Sequence, residues 1–511
     1  MSAEALHTAR TLSDHLPILV VLVPFLAAPL TVLIGSRRLA WPIAFCAALA
    51  SFIISVLLLL RVLDSGVISY AIGGWLPPLG IEYRIDAANA FVLLLVSAIG
   101  TIVLPYTIQS IKNEITPRHQ TLFYTMYLLC FTGLLGVVVT GDAFNVFVFL
   151  EISSLSTYVL VAMGSRTDKR ALTAAYDYLI MGTIGATFFV IGIGFLYAAT
   201  GTLNMADIAR YIQEHGTNRT LETAFAFIVV GMGLKAAVYP LHLWLPNAYT
   251  YAPSAVTSFL AATATKVAIY VLLRFMFTIF QPDFLFEMHA VRWVMMPLAI
   301  LAMFAASLIA VFQSDFKRML AYSSIAQIGY ILLGIGMLST TGLTAAIVHL
   351  FNHGITKAAL FMGVGALVLR SGGSFYAKIE GMGKAMPFTS FAIVIAGLSL
   401  IGVPGTAGFI SKWVLVQAAI EQGYWPLALA IVGSSLLAII YVWRVIETLY
   451  MKQPAEGWTR QEAPLTMLVP LWIMAGATVW FGVDTDLTMT AARAAADGLL
   501  HGFMGGVASG N

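Results

Sequence analysis

The sequence is short of charge and of cysteine for its length. Charged residues make up 10% of the 511 residues, and the two cysteines, Cys46 and Cys130, lie in separate apolar segments without a CxxC spacing. This excludes a zinc ribbon, a cysteine-ligated iron–sulfur cluster and a disulfide framework. The signatures GxGxxG, GxxxxGK[ST] and GxSxG are missing too, which argues against nucleotide, flavin and acyl-transfer chemistry. No cofactor is expected, and no nucleic acid, because aromatic residues are not interleaved with a basic patch.

Apolar residues dominate the remainder of the chain. They make up 60% of it, and the mean hydropathy is +0.89. The apolar runs of at least about 18 residues predict an all-α polytopic membrane protein with about 14 transmembrane helices. The first run, Pro17 to Ile34, is expected to be a retained helix, because Glu4 and Asp14 precede it instead of a compact basic segment. The expected spans are 17–35, 41–62, 87–110, 120–140, 143–163, 171–199, 222–241, 254–280, 291–312, 318–338, 342–370, 387–420, 424–450 and 464–482.

Basic residues indicate the orientation of these spans. They occur in six loops that follow odd-numbered helices, whereas the segments after even-numbered helices are acidic or mixed. The positive-inside rule places the basic loops in the cytoplasm and both chain termini outside. No segment is long and polar enough for a soluble domain, so residues 1–511 are expected to form one transmembrane domain. The stretch LNMADIARYIQEHG predicts a short interfacial helix.

Two of the predicted helices contain helix breakers. The seventh carries Pro240 in GLKAAVYPLHLW, and the twelfth carries Pro404 among glycines in GVPGTAGFISKW. Breakers inside a membrane are tolerated where protein or a water-filled cavity satisfies the freed backbone groups. Broken helices five apart in the order predict two inverted repeats of five helices, over residues 120–280 and 291–450.

Five ionisable residues lie inside apolar spans: Glu151, Lys235, Lys266, Lys357 and Lys412. A charged side chain there costs roughly 2.5–3.5 kcal/mol. Snorkelling or structural pairing is one explanation, and a proton path is the other. Glu151 is the one deep carboxylate of the first half, and either a static or a switching ion pair with Lys235 fits its position. Lys266 connects the halves if its helix packs between the two lysine helices.

Three ionisable residues share one face of the predicted eleventh helix. His349, His353 and Lys357 lie at i, i+4 and i+8, which spreads them over roughly 80°. Zinc binding is disfavoured, because no glutamate follows the first histidine as in HExxH and no acidic third ligand is evident. Either histidine alone fits an ordinary core role, whereas the aligned set favours a proton wire. His242, beyond Pro240, fits proton uptake and a plain interfacial role equally.

Five long stretches resemble a known family. They are GDAFNVFVFLEISSLSTYVLVA, GLKAAVYPLHLWLPNAYTYAPSAVTSFLAATATKVAIYVLLR, FQSDFKRMLAYSSIAQIGYILLG, HLFNHGITKAALFMGVGAL and GVPGTAGFISKW. Together they are similar to the proton-conducting antiporter-like subunits of respiratory complex I, membrane-bound hydrogenases and Mrp-type sodium/proton antiporters, over roughly residues 80 to 450. The form of the glutamate helix resembles the D-type subunit of Mrp complexes most closely. The family implies fourteen helices, two inverted five-helix repeats and a hydrophilic axis along the membrane midplane.

The resemblance assigns proton-transfer roles to individual residues. Glu151 matches the glutamate of helix five, Lys235 the lysine of broken helix seven and Lys266 the lysine of helix eight. The connecting region of helix eleven is matched by His349, His353 and Lys357. The terminal lysine of broken helix twelve is matched by Lys412. Asp177, in LTAAYDYLIMG, departs from the pattern by standing where a basic residue is frequent. A second carboxylate there is expected to alter the pairing around Lys235 or the cation pathway.

The sequence leaves three hypotheses. The first is the proton-translocating subunit of a multisubunit sodium/proton antiporter in a bacterial or archaeal cytoplasmic membrane, with other membrane subunits as partners. The second is the same channel inside a redox complex, either an NADH:quinone oxidoreductase or a membrane-bound hydrogenase. The third is an inert membrane scaffold, which the five buried charges disfavour. Under the first two, this chain holds no cofactor or metal and is not itself an enzyme.

Overall fold

The computed structural model describes residues 12–289, 291–454 and 459–505. The apolar segments are helical because a backbone without access to water must satisfy its own hydrogen bonds. The two chain termini, for which the sequence predicts an outward position, lie outside these ranges. The helices are α1 (Leu16–Ile34), α2 (Arg37–Ser65), α3 (Ala87–Glu114), α4 (Gln120–Val139), α5 (Ala143–Ala162), α6 (Arg170–Thr200), α7 (Met205–His215), α8 (Arg219–Lys235), α9 (Trp244–Tyr251), α10 (Ser254–Leu273), α11 (Gln281–Glu287), α12 (Met296–Val311), α13 (Phe316–Gly336), α14 (Thr340–Ser371), α15 (Tyr376–Ile379), α16 (Met382–Ala385), α17 (Pro387–Ile401), α18 (Ala407–Glu421), α19 (Trp425–Ile446), α20 (Leu465–Val483) and α21 (Asp486–Gly505).

Twelve helices in the described ranges are long and apolar enough to cross a membrane. A thirteenth span results if the segments Tyr376–Ala385 and Pro387–Ile401, which meet at a bend of 112°, form one span. In the predicted seventh span, 222–241, α8 stops at Lys235 and the next helix, α9, begins only at Trp244, and the predicted twelfth span is divided into α17 and α18. The breaks that Pro240 and Pro404 predict are therefore present. The stretch LNMADIARYIQEHG contains α7, a helix as expected.

Two elements depart from the predicted pattern. Strand β1 (Ile68–Ala71) pairs antiparallel with β2 (Glu82–Ile85), so a small hairpin stands between α2 and α3 in an otherwise helical chain. The segment from Asp484 to Asp497, one of the acidic or mixed segments that follow even-numbered spans, belongs mostly to α21, a helix that the sequence did not predict. The helix forms because its alanines, among them Ala491, Ala492 and Ala495, are buried where α21 packs against α3 and α14. A backbone without large side chains can approach a neighbouring helix closely.

The most deeply buried membrane-spanning helices are α10 and α13, and α14, which packs against both, is also mostly buried. Among them, α10 packs against both α8 and α14, and α14 packs against α18. The packing order α8, α10, α14, α18 therefore connects one broken helix with the other through the middle of the protein. The sequence analysis expects Lys266 to connect the two halves if its helix packs between the two lysine helices. In this packing order α10 has that position.

Candidate functional site

An ion pair joins α5 to the end of α8. The Nζ atom of Lys235 lies 3.3 Å from Oε1 of Glu151 and donates a hydrogen bond of 2.6 Å to Oγ of Ser154. Glu151 and Ser154 are three residues apart and therefore present their side chains on one face of α5. The lysine side chain is 7% exposed and the glutamate side chain 27% exposed. The lysine is thus enclosed, while its carboxylate partner is partly exposed at the surface of the chain.

The position of Lys235 follows from the break after it. Lys235 is the last residue of α8, and the chain continues through residues 236–243 without regular helix. The Nε1 atom of Trp244 donates to the carbonyl of Leu234 over 2.9 Å, which satisfies one of the freed backbone groups. A cation at a helix C-terminus is favoured by the exposed carbonyl dipoles. The break therefore helps to hold the lysine charge.

Lys266 occupies the centre of the packing order. The residue is completely buried on α10. Its Nζ atom donates to the carbonyl of Ala261 over 2.5 Å and lies 3.4 Å from Oγ1 of Thr265. The side chain therefore points toward the N-terminal end of its own helix, as helical side chains do. Both of these partners lie on α10 itself, so in the described part of the chain the ammonium is bonded to its own helix.

The buried histidines lie on α14, next to Lys266 and α18. Nδ1 of His349 is 2.8 Å from Oγ of Ser411 on α18, and the rings of His349 and His353 are nearly parallel with centroids 6.1 Å apart. The helix α14 packs against both α10, which carries Lys266, and α18, which carries Lys412. The structure thus brings together residues of three helices that the sequence grouped only by pattern.

Several polar atoms of this cluster lack a partner among the described residues. They are Nε2 of His349, both ring nitrogens of His353 and Oδ1 of Asn352. The other amide atom of Asn352, Nδ2, donates to the carbonyl of Ala407 over 2.7 Å. Buried polar groups are nearly always hydrogen-bonded in proteins, and internal water commonly serves those that protein atoms do not reach. The four atoms therefore mark a place suited to ordered water.

Two lysines of the second half bind backbone carbonyls. Lys357 donates to the carbonyl of Leu320 over 2.8 Å and to Oγ of Ser323 over 2.5 Å. Lys412 donates to the carbonyls of Leu400 and Ile401 over 3.0 and 2.8 Å. These two carbonyls end α17 and are free to accept because the helix stops there.

The break after α17 makes room for Lys412. Gly402 has φ +94°, a conformation that L side chains rarely adopt, and a Cβ atom there would lie 3.0 Å from Cδ of Lys412. On its other side, Nζ of Lys412 lies 4.8 Å from the ring centre of Tyr330. This geometry is a cation–π contact. Glycine at 402 is required both by the backbone turn and by the lysine.

Two predicted site residues lie apart from these contacts. Asp177 is intermediate in exposure on α6, and no ion pair joins it to Lys235 within the part of the chain that the structure describes. His242 is buried inside the break that follows α8, with its ring stacked on Tyr239 at 5.0 Å between centroids. The carboxylate that faces Lys235 is Glu151.

The sequence reasoning missed a second buried ion pair. Arg274, at the end of α10, forms a two-pronged contact with Asp86, with N–O distances of 2.7 and 2.8 Å. An arginine at the end of an otherwise apolar span was a visible signal, since it lies eight residues after Lys266 on the same face. Its partner was harder to find, because Asp86 also caps the N-terminus of α3 and resembles an ordinary capping residue.

Comparisons with known proteins place this geometry in a family. The family described as NADH:quinone oxidoreductase/Mrp antiporter, TM, matches residues 140–438, more than half of the chain. The NADH-quinone oxidoreductase subunit N of Desulforudis audaxviator is 39% identical over 93% of this chain and 97% of its own. The D-type Na(+)/H(+) antiporter subunit of Alkalihalophilus pseudofirmus is 30% identical over 91% of this chain and 94% of its own.

A solved structure extends the likeness to three dimensions. A chain of the Mrp complex from Dietzia sp. DQ12-45-1b superposes with a TM-score of 0.88 at 25% identity, covering 96% of this chain and 98% of that one. The similarity therefore spans the breaks, the lysine helices and α14 together. This chain belongs to the family of NADH:quinone oxidoreductase and Mrp antiporter membrane subunits.

Proposed function

We propose that this chain is the proton-translocating subunit of a multisubunit monovalent cation/proton antiporter, with sodium as the first cation to test. One observation carries the proposal: the packing order α8, α10, α14, α18 places a buried ionisable residue on every helix between the two breaks. Buried ionisable groups inside a membrane are costly and mark ion or proton pathways. The name of the Alkalihalophilus pseudofirmus relative, an Na(+)/H(+) antiporter subunit, supports this class of transport.

The pathway begins at the Glu151 and Lys235 pair. A proton enters near Lys235, with His242 at the uptake side, and the ammonium is stabilised while Glu151 faces it. When the carboxylate moves away, the ammonium loses its counter-charge and releases the proton toward Lys266. The 27% exposure of Glu151 gives it the freedom for this motion. The pair therefore acts as a switch, and Asp177 modulates it or the cation pathway.

The second half carries the proton onward. Lys266 passes it to the face formed by His353, His349 and Lys357, and it leaves at Lys412. The unpartnered ring and amide atoms near α18 bind the water that connects these side chains. Each step is a proton transfer between groups whose charges act on one another, so no covalent intermediate is needed.

The fold has a matching organisation in this proposal. The two breaks divide the protein into inverted five-helix repeats, 120–280 and 291–450, within a fourteen-helix transmembrane domain. The basic loops face the cytoplasm of a bacterium or archaeon, and both termini face outward. Lipid surrounds the outer helices, and other membrane subunits complete the antiporter, as the multisubunit Mrp neighbour suggests.

A redox complex is the second candidate. The relative at 39% identity carries the name NADH-quinone oxidoreductase subunit N, and the same proton pathway serves a complex driven by electron transfer. The subunits that co-purify with the native chain separate the candidates. Small membrane antiporter subunits favour the first candidate, and flavin or iron–sulfur proteins favour the second.

Proton movement in inverted vesicles that carry the whole native operon tests the proposal. The wild type, Lys235→Ala and Lys452→Ala are compared for collapse of an imposed pH gradient when sodium or potassium is added. Lys452 is the matched control, because it also pairs with a glutamate, Glu380 at 2.7 Å, but does so on the exposed surface. The expected result is collapse in the wild type and in the control but not in Lys235→Ala.

Two other outcomes would contradict the antiporter proposal. If cations have no effect while electron donors drive acidification that depends on Lys235, the redox candidate replaces the antiporter. If Lys235→Ala equals the wild type in both assays, the pathway is wrong and a scaffold role gains support. Assembled complex in the membrane is quantified for every variant, so that loss of transport is not confused with loss of protein.

A further inference from the structure

A cavity of about 750 Å³ opens beside the Asp86 and Arg274 ion pair. It is bordered by the hairpin, the start of α3, and the helices α7, α11 and α21. Its volume falls in the range of ligand-sized clefts and is more than sufficient for a cluster of water molecules. None of the residues assigned to the proton pathway borders this cavity. The proposed pathway therefore leaves the cavity without a role.

The ion pair closes one side of the cavity. Both oxygens of Asp86 accept hydrogen bonds from the guanidinium of Arg274, whose Nε atom donates to Oη of Tyr270 over 3.1 Å. The hydroxyl of Tyr270 donates to the carbonyl of Val138 over 3.0 Å. The arginine side chain is only 9% exposed. In this arrangement the phenol proton is bound to a backbone carbonyl and is not available for transfer.

The same helix face leads from the ion pair to the proton pathway. Lys266 and Tyr270 lie four residues apart on α10, and Arg274 follows four residues later, directly after the end of α10, so Tyr270 lies between the two cations. Eight residues of helix correspond to about 12 Å along the axis. A proton that moved from Lys266 to the cavity would need one relay over this distance, and the phenol group is the polar group on that face.

The space below the ion pair is narrow and apolar. A void of about 10 Å³ adjoins Tyr270 and Arg274 and is otherwise lined by apolar side chains, including Val92, Ile347 and Leu350. A water molecule needs at least this volume and two or more polar partners. The apolar lining offers few partners, so we expect no continuous chain of water between the cavity and Lys266 while Asp86 and Arg274 are paired.

The backbone at the ion pair has an unusual form that permits rearrangement. Arg274 begins a π-helical turn that ends at Ile279, and Gln281 after it has φ +67°, a strained value for a residue with a side chain. The amide of Gln281 donates to the carbonyl of Ala209 on α7 over 2.9 Å. Single π-helical turns within α-helices occur often at functional sites. A change in this turn moves Arg274 relative to Asp86.

We propose that Asp86 and Arg274 form the gate of a half-channel that connects Lys266 with the cavity, and that Tyr270 is its proton relay. The inference rests on the proposed function as a proton translocator. When Arg274 turns away, water enters below it, and Asp86 accepts the proton that the Tyr270 hydroxyl gives up. Tyr270 regains a proton from the Lys266 side through water, and Asp86 releases its own to the cavity. One proton crosses, and every residue returns to its starting form.

Passive proton permeability is the first test. Vesicles with the complete complex receive an imposed pH gradient without added cation, and its decay is compared for the wild type, Arg274→Gln and Asp86→Asn, which keeps a capping side chain on α3. The control is Arg61→Gln, which removes an arginine from an exposed ion pair with Asp14 at 3.6 Å. We expect Arg274→Gln, which opens the gate and keeps the proton acceptor, to leak several-fold faster, and Asp86→Asn, which lacks the acceptor, and the control to leak no faster than the wild type.

Reactivity of single cysteines is the second test and needs no broken ion pair. With Cys46 and Cys130 replaced by alanine, Thr217→Cys reports on the exposed cavity lining and Val92→Cys on the void below the gate. A membrane-impermeant thiol reagent is added to whole cells and, separately, to inverted vesicles, so the comparison does not depend on the side to which the cavity opens. We expect Val92→Cys to react at least tenfold more slowly than Thr217→Cys.

Two results overturn the gate. One is equal reactivity of Val92→Cys and Thr217→Cys in the otherwise unaltered complex. The other is a set of assembled gate variants whose proton leak and cation exchange both match the wild type. Failure of the proposed function has a different signature, since the wild-type complex would then exchange no cation while the thiol reactivities still reported whether the ion pair separates the cavity from the void.

Discussion

The two broken helices hold their lysines in different ways. Lys235 ends α8 and faces a carboxylate, whereas Lys412 faces two backbone carbonyls and the ring of Tyr330. In the described part of the chain, no carboxylate lies within salt-bridge distance of Lys412. A carboxylate on a side chain can swing away from its partner, but carbonyls at a helix end move only with the backbone. The first half is therefore suited to switching by a side chain, and the second half to switching by a helix segment.

The energetic cost of burying a charged lysine is also compensated differently in the two halves. An ammonium in a low-dielectric interior requires compensation, and a full opposite charge compensates more than dipoles do. Lys235 receives the full charge at 3.3 Å. Lys412 receives carbonyl dipoles and the face of an aromatic ring. A small displacement of α17 relative to α18 is therefore enough to change the free energy of its charged form. The two halves therefore stabilise a protonated lysine by different contacts.

Removal of the second lysine gives the largest expected effect. Lys412→Met keeps much of the apolar stem and removes the proton acceptor, so we expect cation-driven proton exchange to fall by about a hundredfold. Lys384→Met is the control, since Lys384 is an exposed lysine bonded to Gln453 over 3.1 Å. Exchange is measured in inverted vesicles with equal amounts of assembled complex. More than half of the wild-type rate in Lys412→Met would exclude the exit role.

Neutralisation of the carboxylate has a smaller expected effect that is confined to the first half. In Glu151→Gln, Lys235 keeps its bond to Ser154, so we expect exchange to fall by about tenfold, the size expected for loss of one hydrogen bond to a charged group. The change is measured alone and combined with Lys235→Ala. If the pair works as one unit, the double variant is no worse than Lys235→Ala. Fully additive losses would contradict the switch.

A change at the second break tests the backbone directly. Gly402→Ala places a side chain at φ +94° and 3.0 Å from Lys412, so we expect a loss of about 1–2 kcal/mol of stability from the backbone conformation. Exchange should fall several-fold, since the lysine must also shift. The control is Gly194→Ala, where the added atom meets nothing within 4 Å. Thermal unfolding of the purified complex measures stability, and equal values for both variants would contradict the role of Gly402.

An exposed ion pair should matter least. Hydrogen bonds from Arg170 hold the pKa of Asp168 below its usual value, so this carboxylate is charged at neutral pH and any stability it adds is lost only as the pH falls into the acid range. The pair is exposed, and exposed ion pairs contribute little. We expect Asp168→Asn to exchange protons within twofold of the wild type between pH 6 and pH 9. A larger change would show that the loop before α6 takes part in transport.

The sequence predicted the features that depend on composition and on single residues. Long apolar runs gave most of the helices within a few residues, and prolines gave both breaks. Charges inside those runs identified the ion pair of Glu151 and Lys235 and the buried lysines, because a charge in an apolar span is costly unless it is paired or faces the interior of the protein. The sequence therefore predicted most of the helices and the buried ionisable residues that α8, α10, α14 and α18 carry.

Features that depend on long-range contact were not predictable in this way. The carbonyls that bind Lys412 carry no side-chain signature, and Asp86 and Arg274 are 188 residues apart. Helix α21 escaped detection because its polar residues resemble those of a loop and its alanines contribute little to hydropathy. The hairpin escaped because its strands have only four residues each. In each case the feature depends on contacts that form only when the chain folds.

The breaks between α8 and α9 and between α17 and α18 also bear on the rate of proton transport. A continuous water-filled pore passes ions as fast as they diffuse, but in the proposed pathway a proton must wait at each end until a side chain or helix segment has rearranged. Collective movements of this kind take on the order of microseconds to milliseconds. Under this proposal, turnover is limited to roughly a thousand to a million protons per second. Such a protein works at the pace of a carrier, and its rate should follow the viscosity and thickness of the surrounding bilayer.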